Sequence, residues 1–120
     1  MNEIKVIVQS FAQPGEVQKS LFPDFANVAD ELAVEWEMAL EEIDDTLLTD
    51  KQKQAIKALD DYMLSISGPA NIQYWNNEAL CHSKEWDMMR HLAEDILCVM
   101  GWEKNIPPKS RATYVKGSSD

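Results

Sequence analysis

Asp87, His91 and Glu94 stand at i, i+4 and i+7 in a stretch of helical periodicity, so one helix face carries two carboxylates and an imidazole. These donor types serve a metal site or acid–base chemistry, and both need several groups converging on one point. A fourth donor is not apparent and Arg90 stands beside them, so the simpler expectation is a solvated stripe with an Asp–His pair and no metal. His82 lies nine residues before His91, on the opposite side of the same pattern, and is expected at the edge of the core. Cys81 and Cys98 fall in that pattern too. An unbroken helix would hold them about 25 Å apart, too far to pair, and they are expected as small apolar core residues. Neither has a context that would activate its thiol, no serine sits in a nucleophile elbow, and none of the four glycines belongs to a phosphate-cradling loop.

A second acidic group is Glu41-Glu42-Ile43-Asp44-Asp45. Its Glu-x-x-Asp spacing, Glu42 to Asp45, resembles one half of the magnesium-binding motif of the all-α nucleoside triphosphate pyrophosphohydrolases. That family pairs it with an upstream Glu-x-x-Glu on a facing helix, a spacing this chain does not contain. The resemblance covers about five residues. It implies an enzyme alternative, a divalent-metal-dependent pyrophosphohydrolase acting on phosphorylated small molecules through Glu42 and Asp45.

Charge placement carries more information. Between Leu21 and Asp50 there are ten Asp or Glu residues and no Lys or Arg, equal to the formal net charge of −10 of the whole chain. Phe25, Val28, Ala29, Leu32, Trp36, Ala39, Leu40, Ile43 and Leu47 follow one helical stripe, within an arc of about 120° at 100° per residue. Measured from Phe25, Asp30, Glu37, Glu41 and Asp45 fall at about 120° to 200°, the opposite and solvent-facing side. Val34 and Met38 fall among them, near 180° and 220°. An apolar centre inside a charged surround is how recognition surfaces are commonly built. Asp30, Val34, Glu37, Met38, Glu41 and Asp45 therefore form a candidate surface for a basic protein partner, such as a nuclease or toxin. The alternative is that a neighbouring segment covers Val34 and Met38.

The elements that position these groups follow from periodicity and caps. Ile4-Lys5-Val6-Ile7-Val8 reads as a short strand ended by Gln13-Pro14-Gly15, and residues 16 to 22 as a short helix stopped by Pro23. The acidic helix starts from a cap at Asp24 or Asn27 and runs to Leu47. Thr49-Asp50-Lys51-Gln52 has capping-box form and opens a second helix that buries Ala55, Ile56, Leu59, Tyr62, Met63 and Ile66 and ends at Ser67-Gly68-Pro69. Trp75 and Leu80 can staple across an Asn76 cap, opening a third, longest helix that continues to Met100 with Gly101 as its stop. Its stripe is Ala79, His82, Trp86, Met89, Ala93, Ile96 and Met100, widened by Cys81, Met88, Leu92 and Val99.

The expected fold is all-α, a bundle of three main helices in one domain over residues 1 to 104. Residues 105 to 120 form a basic tail, in which Lys109, Arg111 and Lys116, with Lys104 at its start, stand against Asp120. Tyr114 and Val115 of that tail could pair with the N-terminal run as a minor β-ribbon. The tail could equally fold back over the acidic helix, or dock on it in a second copy, giving a structural homodimer. With 45% hydrophobic and 27% charged residues the composition is that of a globular protein. Its negative field disfavours nucleic acid and anionic membranes, and two unpaired thiols suit the cytoplasm. The functional expectation is a non-enzymatic acidic interaction protein of inhibitor, immunity or adaptor type, without catalytic residues or cofactor.

Overall fold

In the computed structural model, which describes residues 2–107, the N-terminal run is not a strand. It is helix α1 (Asn2–Phe11). Ile4, Ile7, Val8 and Phe11 recur at i, i+3, i+4 and i+7, and all four are buried while Glu3 and Lys5 face outward. The helical period outweighs the β-branched composition because this face can be buried against α3 (Val28–Glu41) and α6 (Lys84–Met100). The expected β-ribbon is thereby lost on its N-terminal side, and its other half, Tyr114 and Val115, lies outside the described residues. The packing core is built from α1, α3, α6 and α4 (Asp50–Ser65), so the N-terminal helix joins the three that periodicity marks.

Pro14 precedes the short helix α2 (Gly15–Ser20), and Leu21 and Phe22 then turn inward before Pro23. Asn27 caps α3, accepting from the Asp30 amide at 3.3 Å, while its own amide donates to the Trp75 carbonyl at 3.0 Å. Asn77 reciprocates: its oxygen accepts from Val28 N at 2.9 Å and its nitrogen donates to the Ala26 carbonyl at 3.1 Å. The two asparagines brace the start of α3 against the start of α5 (Asn77–His82).

The acidic helix ends at Glu41, six residues short of the expected Leu47. Glu41, Glu42, Asp44 and Asp45 crowd the end of the helix that already carries the negative half of the macrodipole. Asp44 also offers an alternative to helical bonding, taking the Thr46 amide at 3.0 Å and the Thr46 hydroxyl at 2.6 Å. The side-chain bond from Thr46, with the backbone bond behind it, holds the Asp44 carboxyl below its ordinary range. A 3-10 helix (Asp45–Leu47) follows. Leu47, expected on the core stripe, is exposed as a result, and Phe25 at the other end of the stripe is exposed also.

The capping box at the start of α4 is complete: Gln52 N donates to Thr49 Oγ1 at 3.2 Å and Thr49 N donates to Gln52 Oε1 at 2.9 Å. Gln52 Nε2 also donates to the Val99 carbonyl at 3.2 Å, tying α4 to the end of α6. A kinked 3-10 helix (Pro69–Tyr74) leads to α5.

The third helix is broken. Ser83 adopts an extended backbone (ψ 148°) and caps α6, its hydroxyl accepting from Trp86 N at 3.2 Å. The break lets α5 turn against α2 and α3, and it also rotates the stripe. Trp86, Met89, Ala93 and Ile96 are buried as the period implies, but His82 is exposed, not at the core edge. The cysteines are not core residues either: Cys81 is half-buried on α5 and Cys98 is exposed on α6, and both are free. Gly101, at φ +72°, supplies the left-handed stop, with Trp102 N donating back to the Leu97 carbonyl at 2.9 Å. The chain then runs back along α1, where Gln9 and Gln13 donate to the carbonyls of Glu103 and Asn105, each at 3.0 Å, and Pro107 is buried.

Candidate functional site

Among the candidate surface residues, Asp30, Val34, Glu37, Met38 and Glu41 all lie on the outer side of α3, exposed. Val34 is 50% and Met38 60% accessible, so no described segment covers them. Asp45 is carried on the separate 3-10 helix, and its place on that face no longer follows from helical angle. Among the described residues no lysine or arginine pairs with Asp30, Glu37 or Glu41.

On the flank of this face is a groove that the sequence stripes do not indicate. Its volume is about 320 Å³, and it is lined by Asp30, Ala33, Trp36 and Glu37 from α3, by Asp60, Met63 and Leu64 from α4, and by Ser67, Gly68, Ile72 and Trp75 beyond. Asp60, Met63 and Leu64 stand at i, i+3 and i+4 and therefore share one side of α4, and Ser67 follows just beyond the end of that helix. Leu64 and Ile72 are 62% and 70% exposed. Both are apolar residues outside the buried stripes, which was the available signal for them. The floor is fixed by indole hydrogen bonds. Trp36 Nε1 donates to Asp60 Oδ1 at 3.0 Å, and Trp75 Nε1 to the Ile66 carbonyl at 2.7 Å. Behind it, Phe11 meets Trp36 edge-on at 5.9 Å and stacks on Trp86 at 5.7 Å, and Trp75 meets Trp86 edge-on at 5.6 Å. Asp30 and Glu37 thus form a ridge of carboxylates with the groove on one side and Val34 and Met38 on the other.

The second candidate region surrounds Arg90. The Asp87, His91 and Glu94 side chains line an open cavity of about 300 Å³ together with Cys81, Arg90 and Lys104. Each carboxylate there already has a cation: Arg90 Nη1 lies 2.8 Å from Asp87 and Lys104 Nζ 2.5 Å from Glu94. His91 Nδ1 is 2.8 Å from the backbone carbonyl of Asp87 rather than from its carboxylate. Among the described residues no three His, Cys, Asp or Glu side chains converge as metal ligands. Glu42 is the residue after the end of α3 and Asp45 opens the 3-10 helix, so the helical register that a Glu-x-x-Asp motif requires is interrupted between them.

Arg90 itself is a structural hub. Nε donates to the Gln13 carbonyl at 3.0 Å, Nη2 to Gln18 Oε1 at 3.0 Å and to the Leu80 carbonyl, and burial depresses the affinity of the guanidinium for its proton. Gln18 is fully buried, and its Nε2 donates to the carbonyls of Ser10 and Phe11, each at 3.1 Å, closing the end of α1. Beside it, burial pushes the Cys81 thiol above its ordinary value, an effect that Lys19 opposes and Glu16 reinforces. A thiol shifted that way is a poorer nucleophile at neutral pH.

No helix among the described residues is long and apolar enough to cross a membrane. Comparison with protein-family models, curated proteins and solved structures finds no match to this chain.

Proposed function

We propose that this protein is a non-enzymatic interaction module of inhibitor, immunity or adaptor type that captures a basic protein partner through the outer face of α3. The observation that carries the reading is the exposure of Val34 and Met38 among Asp30, Glu37 and Glu41, carboxylates without a cation partner among the described residues. The apolar pair supplies burial and the carboxylates steer the approach of positive charge, as in interfaces where electrostatics sets the association rate. A nuclease or toxin that holds phosphate on a basic surface has the complementary chemistry. Free thiols and an acidic surface fit residence in the cytoplasm.

The test is affinity capture from the native host's lysate at low and high salt, using the unaltered protein and its Val34→Asp and Glu41→Lys variants. The expected result is a basic protein retained by the unaltered bait at low salt and lost at high salt and with both variants, whose melting temperatures are unchanged. Equal retention by all three baits refutes the proposal.

A further inference from the structure

We propose that the groove between α3 and the C-terminal half of α4 seats an amphipathic helix of the basic protein partner, its apolar stripe on Leu64 and Ile72 and its cations against Asp30, Glu37 and Asp60. The inference rests on the partner reading above and adds to it the element by which the partner is held. In the packing of the chain α3 lies on α1 and α5 while α4 lies on α6, so the seam between α3 and α4 stays open as a trough with a helix on each side. Leu64 and Ile72 are largely exposed in it, and the small side chain of Ala33 leaves room on the α3 wall between Asp30 and Glu37. Among the described residues none of Asp30, Glu37 and Asp60 forms an ion pair. Apolar surface between carboxylates on both walls is complementary to an occupant that is apolar along one stripe and cationic on both flanks of it.

Two features select a helix over an extended segment. The first is backbone pairing. The walls are helices whose amide and carbonyl groups bond internally, and at the end of the trough the carbonyls of Ile66, Ser67 and Gly68 are taken by Trp75 Nε1, Asn71 Nδ2 and Asn71 N at 2.7, 3.0 and 2.9 Å. An extended strand would bury unpaired main-chain groups there, whereas a helix arrives with its own already bonded. The second is the spacing of charge. Asp30 and Glu37 are seven positions apart, about 10.5 Å along α3. Lys or Arg residues seven positions apart on a helix lying along α3 therefore meet both, and Asp60 faces its other flank. The indole bonds of Trp36 and Trp75 hold the floor in place before anything binds, which lowers the ordering cost of docking.

The test is titration of the full chain with a synthetic leucine–lysine helix of about five turns, leucines on one stripe and lysines on its flanks, followed by tryptophan fluorescence and compared with oligolysine of equal charge. The expected result is binding of the helix about tenfold tighter than oligolysine, weakened about tenfold by Leu64→Asp and by Ile72→Asp and less than about twofold by Val34→Asp, with melting temperatures unchanged. All three variants add one negative charge, so a loss confined to the first two comes from lost apolar contact and not from an altered field. Asp30→Asn combined with Glu37→Gln flattens the salt dependence. Equal affinity for the helix and oligolysine overturns the proposal, as does an absence of binding at millimolar probe. A loss with Val34→Asp as large as with the groove variants overturns it too. The partner reading is judged separately by lysate capture: a basic protein lost with the Val34→Asp bait but retained by Leu64→Asp means that the outer face of α3 binds the partner and the groove does not.

Discussion

Replacing Arg90 with alanine removes a group that joins α6 to α5, to α2 and to the turn that follows α1. Its donors satisfy the carbonyls of Gln13 and Leu80 and the side-chain oxygen of Gln18, and Gln18 is fully buried. An acceptor stranded by loss of its partner costs about 1–3 kcal/mol. The Arg90 side chain is only 11% exposed, but it borders an open cavity through which water can reach part of the site, which argues for the low end for each of the three acceptors. The expected loss is then about 3 kcal/mol, a large share of the roughly 5–15 kcal/mol that holds a domain folded. With an unfolding entropy near 2.1 cal/mol/K per residue, this lowers the midpoint of a 120-residue chain by about 12 °C. Asp87→Asn separates the effect of the ion pair, which is exposed on the carboxylate side and contributes less than about 1 kcal/mol. Urea unfolding followed by tryptophan fluorescence measures all three proteins at constant m-value. If Arg90→Ala costs no more than Asp87→Asn, the hub does not stabilise the fold and the reasoning fails.

Gly15→Ala is expected to destabilise by about 1–3 kcal/mol, because a Cβ there meets Cys81 Cα and Sγ at 2.9 Å and α2 must move off α5; a thermal melt unchanged within error would contradict it. Thr49→Ala breaks the capping box and should cost about 1 kcal/mol in chemical denaturation, with Thr49→Ser retaining most of the stability. Val34→Asp and Glu41→Lys, both at exposed positions, should change stability by less than about 0.5 kcal/mol. Exposed Cys98 should be alkylated before Cys81 at neutral pH, since burial raises the Cys81 thiol and leaves it protonated; peptide mapping of a timed iodoacetamide reaction gives the order.

What could be read from the sequence was local. The Thr49–Gln52 box and Gly101 act within a few residues of themselves, so their roles follow from spacing alone, whereas spacing left the cap of α3 open between Asp24 and Asn27 and the structure places it at Asn27. The helical period of Ile4, Ile7, Val8 and Phe11 was equally present, but a short β-branched run also suits a strand, and only the space between α3 and α6 decides between them. Ser83 looks like any serine inside a helix until its neighbours require α5 to turn away. The Arg90 hub was illegible because its acceptors at Gln13 and Gln18 are 77 and 72 positions distant. For the candidate surface, helical angle sufficed to put Val34 and Met38 on the open side of α3. The groove beside it draws on three separate elements, so Asp60, Leu64 and Ile72 had no common pattern to reveal them.

The way α1 is held has a consequence for how the chain acquires its structure. Gln9 and Gln13 bond to carbonyls 94 and 92 positions later, and the apolar side of α1 is shared between α3 and α6. Closing a loop of that length costs about 4 kcal/mol in chain entropy, beyond a constant term. A helix of ten residues is too short to persist in water without its packing partners. Helix α1 is synthesised well before α6 and must therefore wait for it, and the apolar residues of α1 stay open to solvent or to chaperones until α6 has emerged. Folding is consequently governed by sequence-distant contacts, slower than in bundles whose helices pack mainly on their neighbours in the chain.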